Sequence, residues 1–254
     1  MSTDPLRAAW PAGYERVVLD SVDSTMAEAA RRSENATGPI WIIARKQSAA
    51  HGRRGRPWAM PAGNFAATLV LRPNAAPEQA ALRSFTAAVA LHHALSAIID
   101  PSKLSLKWPN DVLLNGGKVA GILLESKGTP SLVESLSIGI GVNLVAAPDA
   151  ASVEPGAVTP VSVSGAGGRT IDPVDFLDLL ATHFASLETQ FRAYGFEPIR
   201  QLWLKHAARL NEVVTARLPS EEITGTFRTI DGSGHLVLIT AKGERRIAAA
   251  EVYF

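Results

Sequence analysis

Short apolar runs of strand length alternate with helical periods through roughly the first 210 positions, and only strand-length runs follow. Residues 14–20 read as a strand, and Asp23, Ser24 and Thr25 then offer an N-cap to a short helix through MAEAARRS. Trp41-Ile42-Ile43-Ala44 and residues 64–71 (NFAATLVL) read as further strands. Pro77-Glu78 opens one long helix, in which Leu82, Phe85, Val89, Leu95 and Ile99 recur at roughly helical spacing and mark a buried face. A hairpin of two adjacent strands is predicted over residues 104–127, followed by the strand SLSIGIGVNL. Residues 146–172 are rich in Ala, Pro, Gly and Ser without periodicity and read as a long surface loop. Helices follow over residues 173–194 and 197–208. Residues 211–254 break into short β segments joined by turns such as Asp231-Gly232-Ser233-Gly234, the pattern of a small closed or half-closed barrel. The class is α+β, with a larger domain over residues 1–210 and a small β-barrel domain over residues 211–254.

Polar residues interrupt this pattern most sharply in KWPNDVLLNGGKVAGILLE, residues 107–125. Lys107, Asn110, Asp111 and Lys118 sit there among strand-forming apolar residues, and burying such charge is costly unless a ligand or partner compensates it. Strand alternation puts Lys118 on one face with Ala120 and Ile122, and Gly121 with Leu123 on the other. Upstream, residues 45–58 (RKQSAAHGRRGRPW) carry Arg45, Lys46, Arg53, Arg54 and Arg56 and no carboxylate. Glycines 52 and 55 let backbone amides and guanidinium forks converge on phosphate or carboxylate oxygens, although a solvated basic loop would read the same way.

Bulk properties narrow the partners. The 254 residues carry a formal net charge of only +1, so the basicity is local: residues 35–77 hold six Arg or Lys and no Asp or Glu. The absence of cysteine excludes disulfides, thiolate metal sites and a cysteine nucleophile. No run approaches 18 apolar residues and the first residues lack a signal-peptide core, so a cytoplasmic protein with no membrane partner is expected. Gly117-Lys118 lacks the upstream glycine of a P-loop, since Val112 stands there, and Leu144 stands where Gly139 and Gly141 would need a third glycine for a dinucleotide fingerprint. Gly52-Arg53-Arg54-Gly55 fits the loop of KH domains, but strands rather than paired helices flank it. His92 and His93 are adjacent on a helix and point apart, and His51, His183, His206 and His235 lack ligand spacing, so no protein metal site is expected.

Taken together, Ser24-Thr25 after a strand, Gln47 with GRRGRPW, KWPND, GGKVAGILLE and IGIGVNL, in that order, resemble the biotin protein ligase family. The resemblance runs from about Asp20 to the last strands. It implies a mixed sheet packed with helices, of the class II synthetase-like biotin/lipoate ligase kind, and an SH3-like C-terminal barrel. It implies as well that biotin and ATP, with Mg2+, react to biotinyl-5′-AMP, and that a lysine of a biotin carboxyl carrier domain, of acetyl-CoA carboxylase or a related carboxylase, then receives the biotin.

By that resemblance Lys118 and Arg53 are the catalytic cations, with Asp111 beside them as a hypothetical acceptor of the amine's proton. Ser24, Thr25, Met26, Gln47, His51, Gly52, Arg53, Lys118 and Gly121 would surround biotin. Arg54, Arg56, Trp58, Asn110, Asp111, Gly141 and Asn143 would surround ATP or the adenylate. Two departures stand out: Ala50-His51 replaces a usual Gly-Arg pair, which points to looser or pH-dependent retention of the adenylate, and Ala250 precedes Glu251 where a glycine is usual. Only about 20 residues precede the matching region, too few for the DNA-binding module some members carry, so no DNA binding is expected; monomer and homodimer both stay open. The competing readings are a lipoate or octanoate ligase of the same fold and a non-catalytic nucleic-acid binder.

Overall fold

The computed structural model describes residues 8–149 and 158–253. Its larger part is a seven-stranded sheet in the order β1-β2-β3-β7-β6-β5-β4. These strands are β1 (Glu15–Leu19), β2 (Ile40–Ala44), β3 (Phe65–Leu71), β4 (Leu104–Lys107), β5 (Asp111–Leu114), β6 (Gly117–Thr129) and β7 (Leu132–Val142). Of these neighbours β1 and β2 run parallel; the remaining pairs are antiparallel. Every residue of β2 and β3 is buried, as expected of strands covered on both faces. One face is packed by α3 (Arg83–Ser96) and α4 (Pro173–Tyr194), where Phe176 meets Phe65 and Phe184 meets Trp41 edge-on. The opposite face carries α1 (Thr25–Arg32), capped by Ser24, whose Oγ accepts from the Met26 amide.

Several expectations are corrected. The long helix from Pro77 is two, α2 (Pro77–Ala81) and α3, broken at Leu82. The predicted two-strand hairpin is a three-strand meander, because Asn115 and Gly116 both take positive φ and turn the chain once more. Beyond residues 150–157, which lie outside the described residues, the expected loop stays irregular and largely at the surface, but it is pinned to the sheet and core at a few points. Pro160 bridges to Lys118, Val163 is buried, and residues 164–166 form a 3-10 turn. The last helix, α5 (Glu197–Lys205), stops three residues early.

That C-terminal unit is a five-stranded antiparallel sheet ordered β11-β10-β9-β8-β12, from β8 (Val213–Arg217), β9 (Glu222–Ile230), β10 (Leu236–Thr240), β11 (Gly243–Ile247) and β12 (Glu251–Tyr253). The edge strands β11 and β12 are joined by residues 248–250 alone. Four residue steps reach at most about 14 Å, whereas edges four strand spacings apart in a flat sheet would stand about 19 Å apart. The sheet must therefore curl, which is the half-closed barrel the turn pattern suggested. Trp203 of α5, fully buried, joins it to the larger part by packing on both Phe85 and Phe227, while the Trp108 indole donates to the Gly234 carbonyl at 3.0 Å.

His92 is 2% exposed and neither ring nitrogen has a hydrogen-bond partner. Burial, helped by the neighbouring His206 and His93, pushes its pKa down to about 4. The neutral ring's contribution to stability is complete above its unfolded value near 6.5 and is lost as pH falls from there through about 4. Thermal denaturation from pH 7 to pH 4 should show the midpoint falling across that window, and a smaller fall in His92→Gln.

Candidate active site

Sheet register builds the floor of a large cleft. Cross-strand partners run Lys107–Asp111–Gly121–Gly141–Ala66 over β4, β5, β6, β7 and β3, and all five line the cleft, whose volume is about 1180 Å3. The row has charge at one end and only glycine or alanine at the other, so it forms a trough. A Cβ on Gly141 would lie 2.6 Å from the Trp58 ring, and one on Gly139 would lie 2.7 Å from Met26 Sδ. The trough therefore exists only because these positions lack side chains.

Lys118 joins that row through a bulge. Pairing shifts between Val112 and Leu113, leaving Val119 as an extra residue on β6. A one-residue bulge reverses the alternation beyond it. Lys118 thus shares the cleft face with Gly121, where an added Cβ would touch the lysine side chain at 3.4 Å, while Ala120 is fully buried and Ile122 nearly so. The simple alternation that paired Lys118 with Ala120 and Ile122 is corrected accordingly. Lys118 Nζ stands 2.7 Å from Asp111 Oδ1 and 5.9 Å from the Trp58 ring centroid. Although the ions are that close, Asp111 Oδ1 is buried without an aligned hydrogen bond, which leaves it able to accept one.

The basic segment arches over this floor. Its entry is tied to the strand-to-helix turn by the Val22–Gln47 bridge and by the Ala49 amide donating to Asp23 O at 2.7 Å. Gly52 donates to Arg56 O and Trp58 to Ala50 O, which pinches residues 51–57 into a lobe around a 3-10 turn at Arg53–Gly55. Arg54 at φ 59° and Gly55 at φ 71° make the reversal, a conformation glycine adopts freely. Arg53 turns inward and donates to Asn110 Oδ1 at 3.2 Å. Burial lowers its pKa, with Asp111 opposing. Lys107 is lowered too, first by burial, then by the nearby cations, again against Asp111. The cleft is lined by five cationic side chains, Arg53, Arg56, Lys107, Lys118 and Arg209, against the carboxylates of Asp111, Glu212 and Glu251, an excess suited to a polyanion.

At the other end, the Thr25 amide donates to Gln47 Oε1 at 2.6 Å and Thr68 Oγ1 donates to Thr25 Oγ1 at 2.9 Å. Ser24, Thr25 and Gln47 therefore present fixed hydroxyl and amide groups beside the apolar Met26. Asn143 donates to Val161 O, while its buried Oδ1 has no partner, and the Trp58 indole N–H is likewise buried without one. A buried polar atom left unpaired costs about 1–3 kcal/mol, which a bound ligand can recover.

Every residue expected at the site lines the cleft except Arg54. Arg54 points outward and meets Glu251 Oε1 at 2.7 Å, as Arg56 does at 2.9 Å. His51 contacts Glu125 at 3.2 Å. Sequence reasoning left out Lys107, Ser105 and the stretch 251–253 of β12, all of which line the cleft. Lys107 was visible as a charge in an apolar strand; nothing local announces Glu251, which lies almost 200 positions from the arginines it holds.

The description "Biotin/lipoate A/B protein ligase family" matches residues 18–143, and "Biotin protein ligase C terminal domain" matches residues 210–254. Over 238 residues the chain is 54% identical to the biotin–acetyl-CoA-carboxylase ligase of Paracoccus denitrificans, covering 93% of this chain and 99% of that one. The chain belongs to the biotin protein ligase family. It is also 31% identical over 236 residues to the bifunctional ligase/repressor BirA of Bacillus subtilis, covering 92% of this chain and 71% of that one. Among solved structures, biotin protein ligase from Aquifex aeolicus in complex with biotin and ATP superposes with a TM-score of 0.75 at 23% identity, over 94% of this chain and 97% of that one. The family fold, a mixed sheet with helices followed by a C-terminal antiparallel sheet, is the one described above.

Proposed function

We propose that this ligase activates biotin with ATP and transfers it to a lysine of a biotin carboxyl carrier domain, working in the cytoplasm. One observation carries the reading: Lys118, paired with Asp111, stands between a glycine trough and the inward-turned Arg53. Residues 1–210 form the catalytic domain in this reading, and residues 211–254 a small domain that contributes β12 to the cleft mouth.

The Ser24 and Thr25 hydroxyls keep protons to donate to the ureido oxygen of biotin, and Gln47 Nε2, now on the weak acceptor Met60 Sδ at 3.2 Å, can exchange it for a ligand oxygen. The valeryl chain would cross Gly121 and Gly139 toward Lys118. There the biotin carboxylate attacks the α-phosphorus of ATP, the bond to the bridging oxygen breaks, and pyrophosphate leaves. Two anions must be held together for this, which the Lys118 ammonium and Arg53 guanidinium achieve while offsetting the charge that grows at phosphorus. Asn143 Oδ1, an acceptor, suits the amino group of adenine, and Trp58 and Arg56 cover the nucleotide. Asp111 is the residue that would hold Mg2+, its unaligned Oδ1 being the hard oxygen donor that ion prefers; the cation would neutralise phosphate charge. In the second step the carrier's lysine amine attacks the mixed anhydride, AMP departs, and Asp111 takes the amine's proton.

Biotin-dependent exchange of labelled pyrophosphate into ATP tests the first step; exchange without biotin, or none with it, would sink the reading. A related prediction concerns the lobe at residues 51–57. The hydrogen bond from Tyr253, with Arg56 and Arg54, holds the Glu251 carboxyl below its ordinary pKa, so this contact is present above about pH 4.5 and lost on acidification through the lower folded value. Glu251→Gln should therefore speed tryptic cleavage in the lobe at pH 7 in the ligand-free protein, and biotin with ATP should slow cleavage of both forms. Equal cleavage with and without ligands would show that the lobe does not close over them.

A further inference from the structure

Three helices bring histidines together at a place the chemistry above does not use. His92 and His93 lie on α3, His206 caps α5, and His183 lies on α4. One ring nitrogen from each of His92, His93 and His206 falls within 4.8 Å of the other two. The His92 and His206 rings stack at 3.9 Å, and His183 stands next to His93 at 5.4 Å between centroids. None of the four lines the cleft. Their adjacency in sequence and wide spacing hide this arrangement, because α5 must fold back on α3 to create it.

His92 is the decisive member. Its ring is 2% exposed, yet both nitrogens lack partners, against the general rule that buried polar atoms are hydrogen-bonded. Such a ring, with two further imidazoles beside it, offers nitrogen lone pairs that a metal ion can take up. We propose that His92, His93 and His206 bind a divalent transition-metal cation, Zn2+ foremost, which ties α3 to the segment following α5.

Ligand chemistry sets the class of ion. Among the described residues the group contains imidazoles and no carboxylate, a donor set that suits zinc, nickel or copper and not magnesium or calcium. Around a tetrahedral zinc with Zn–N near 2.1 Å, ligand nitrogens stand about 3.4 Å apart. Rotation of the partly exposed His93 and His206 rings toward the fixed His92 closes the difference, and His183 or water can complete four ligands.

The tie would reach the cleft's edge by way of the backbone. His206 O accepts from the Leu106 amide at 2.7 Å and the Ala208 amide donates to Leu106 O at 2.8 Å, so this segment pairs with β4 one residue before Lys107. Metal at the imidazoles therefore braces the outermost strand of the cleft floor without touching ligand.

The test uses the untagged full chain, stripped with chelator and titrated with ZnCl2 by calorimetry and by thermal denaturation, with Co2+ absorption as a reporter of tetrahedral coordination. One zinc per chain is expected, raising the midpoint by about 5–10 °C at a hundredfold excess over Kd. His93→Asn and His206→Asn, both at partly exposed positions, should each weaken binding at least tenfold, while Asp111→Asn, which removes a carboxylate of the cleft floor, should leave it unchanged. Absence of zinc binding overturns the proposal, as does binding that survives both histidine changes or disappears with Asp111→Asn.

Discussion

Lys118→Ala should lower biotin-dependent pyrophosphate exchange by about 10²–10³ while leaving the thermal midpoint nearly unchanged. In the proposed reaction the rate effect is that of losing one preorganised donor aimed at developing charge, since the ammonium would stand where carboxylate and α-phosphate meet. The fold should tolerate the change because Lys118 is partly exposed, at 31% of its side chain, and its methylenes cover glycine rather than core. Removing it also releases Asp111 from its ion pair, so Asp111→Asn in the Lys118→Ala background should cost less than in the parent. Unchanged exchange in Lys118→Ala would remove this residue from the mechanism.

Glu188→Ala should destabilise the protein by about 3–5 kcal/mol, the scale of a buried ion pair stripped of one partner. Glu188 on α4 is 2% exposed and accepts from Arg83 through both Nε and Nη2, and from Arg192 at 2.9 Å. Arg83 is itself 5% exposed, so the alanine variant strands a guanidinium inside the α3–α4 interface, against the Phe191 ring. Replacing both partners with apolar residues should recover most of the loss. Denaturant unfolding of the two variants checks this; a loss below about 1 kcal/mol for the single change would mean water reaches Arg83.

What could be read before folding, and what could not, divides along physical lines. Local signals were sufficient for β2, β3, β7 and α4, whose apolar runs and caps are contiguous. They were sufficient also for the charged residues of KWPND and the arginine lobe, because charge in a strand and glycine between arginines are local anomalies. The break at Leu82 was not legible, because its side chain continues the apolar face of α3 across it. The bulge at Val119 was hidden as well, since it is a property of pairing with β5, and it moved Lys118 to the face of Gly121. Long-range partners were out of reach altogether: Glu251 with the arginine lobe, Arg83 with Glu188, and the histidines of α3 with His206. In each case the contact depends on how elements far apart in the chain pack, not on the residues flanking either one.

The intact mass of a purified biotin carboxyl carrier domain, after incubation with this protein, Mg·ATP and either biotin or lipoate, tests the central claim most directly. The account predicts an increase of one biotinyl group on one lysine, dependent on ATP and absent with lipoate. An increase with lipoate instead, or none with either acid when the carrier is competent for another ligase, would contradict it.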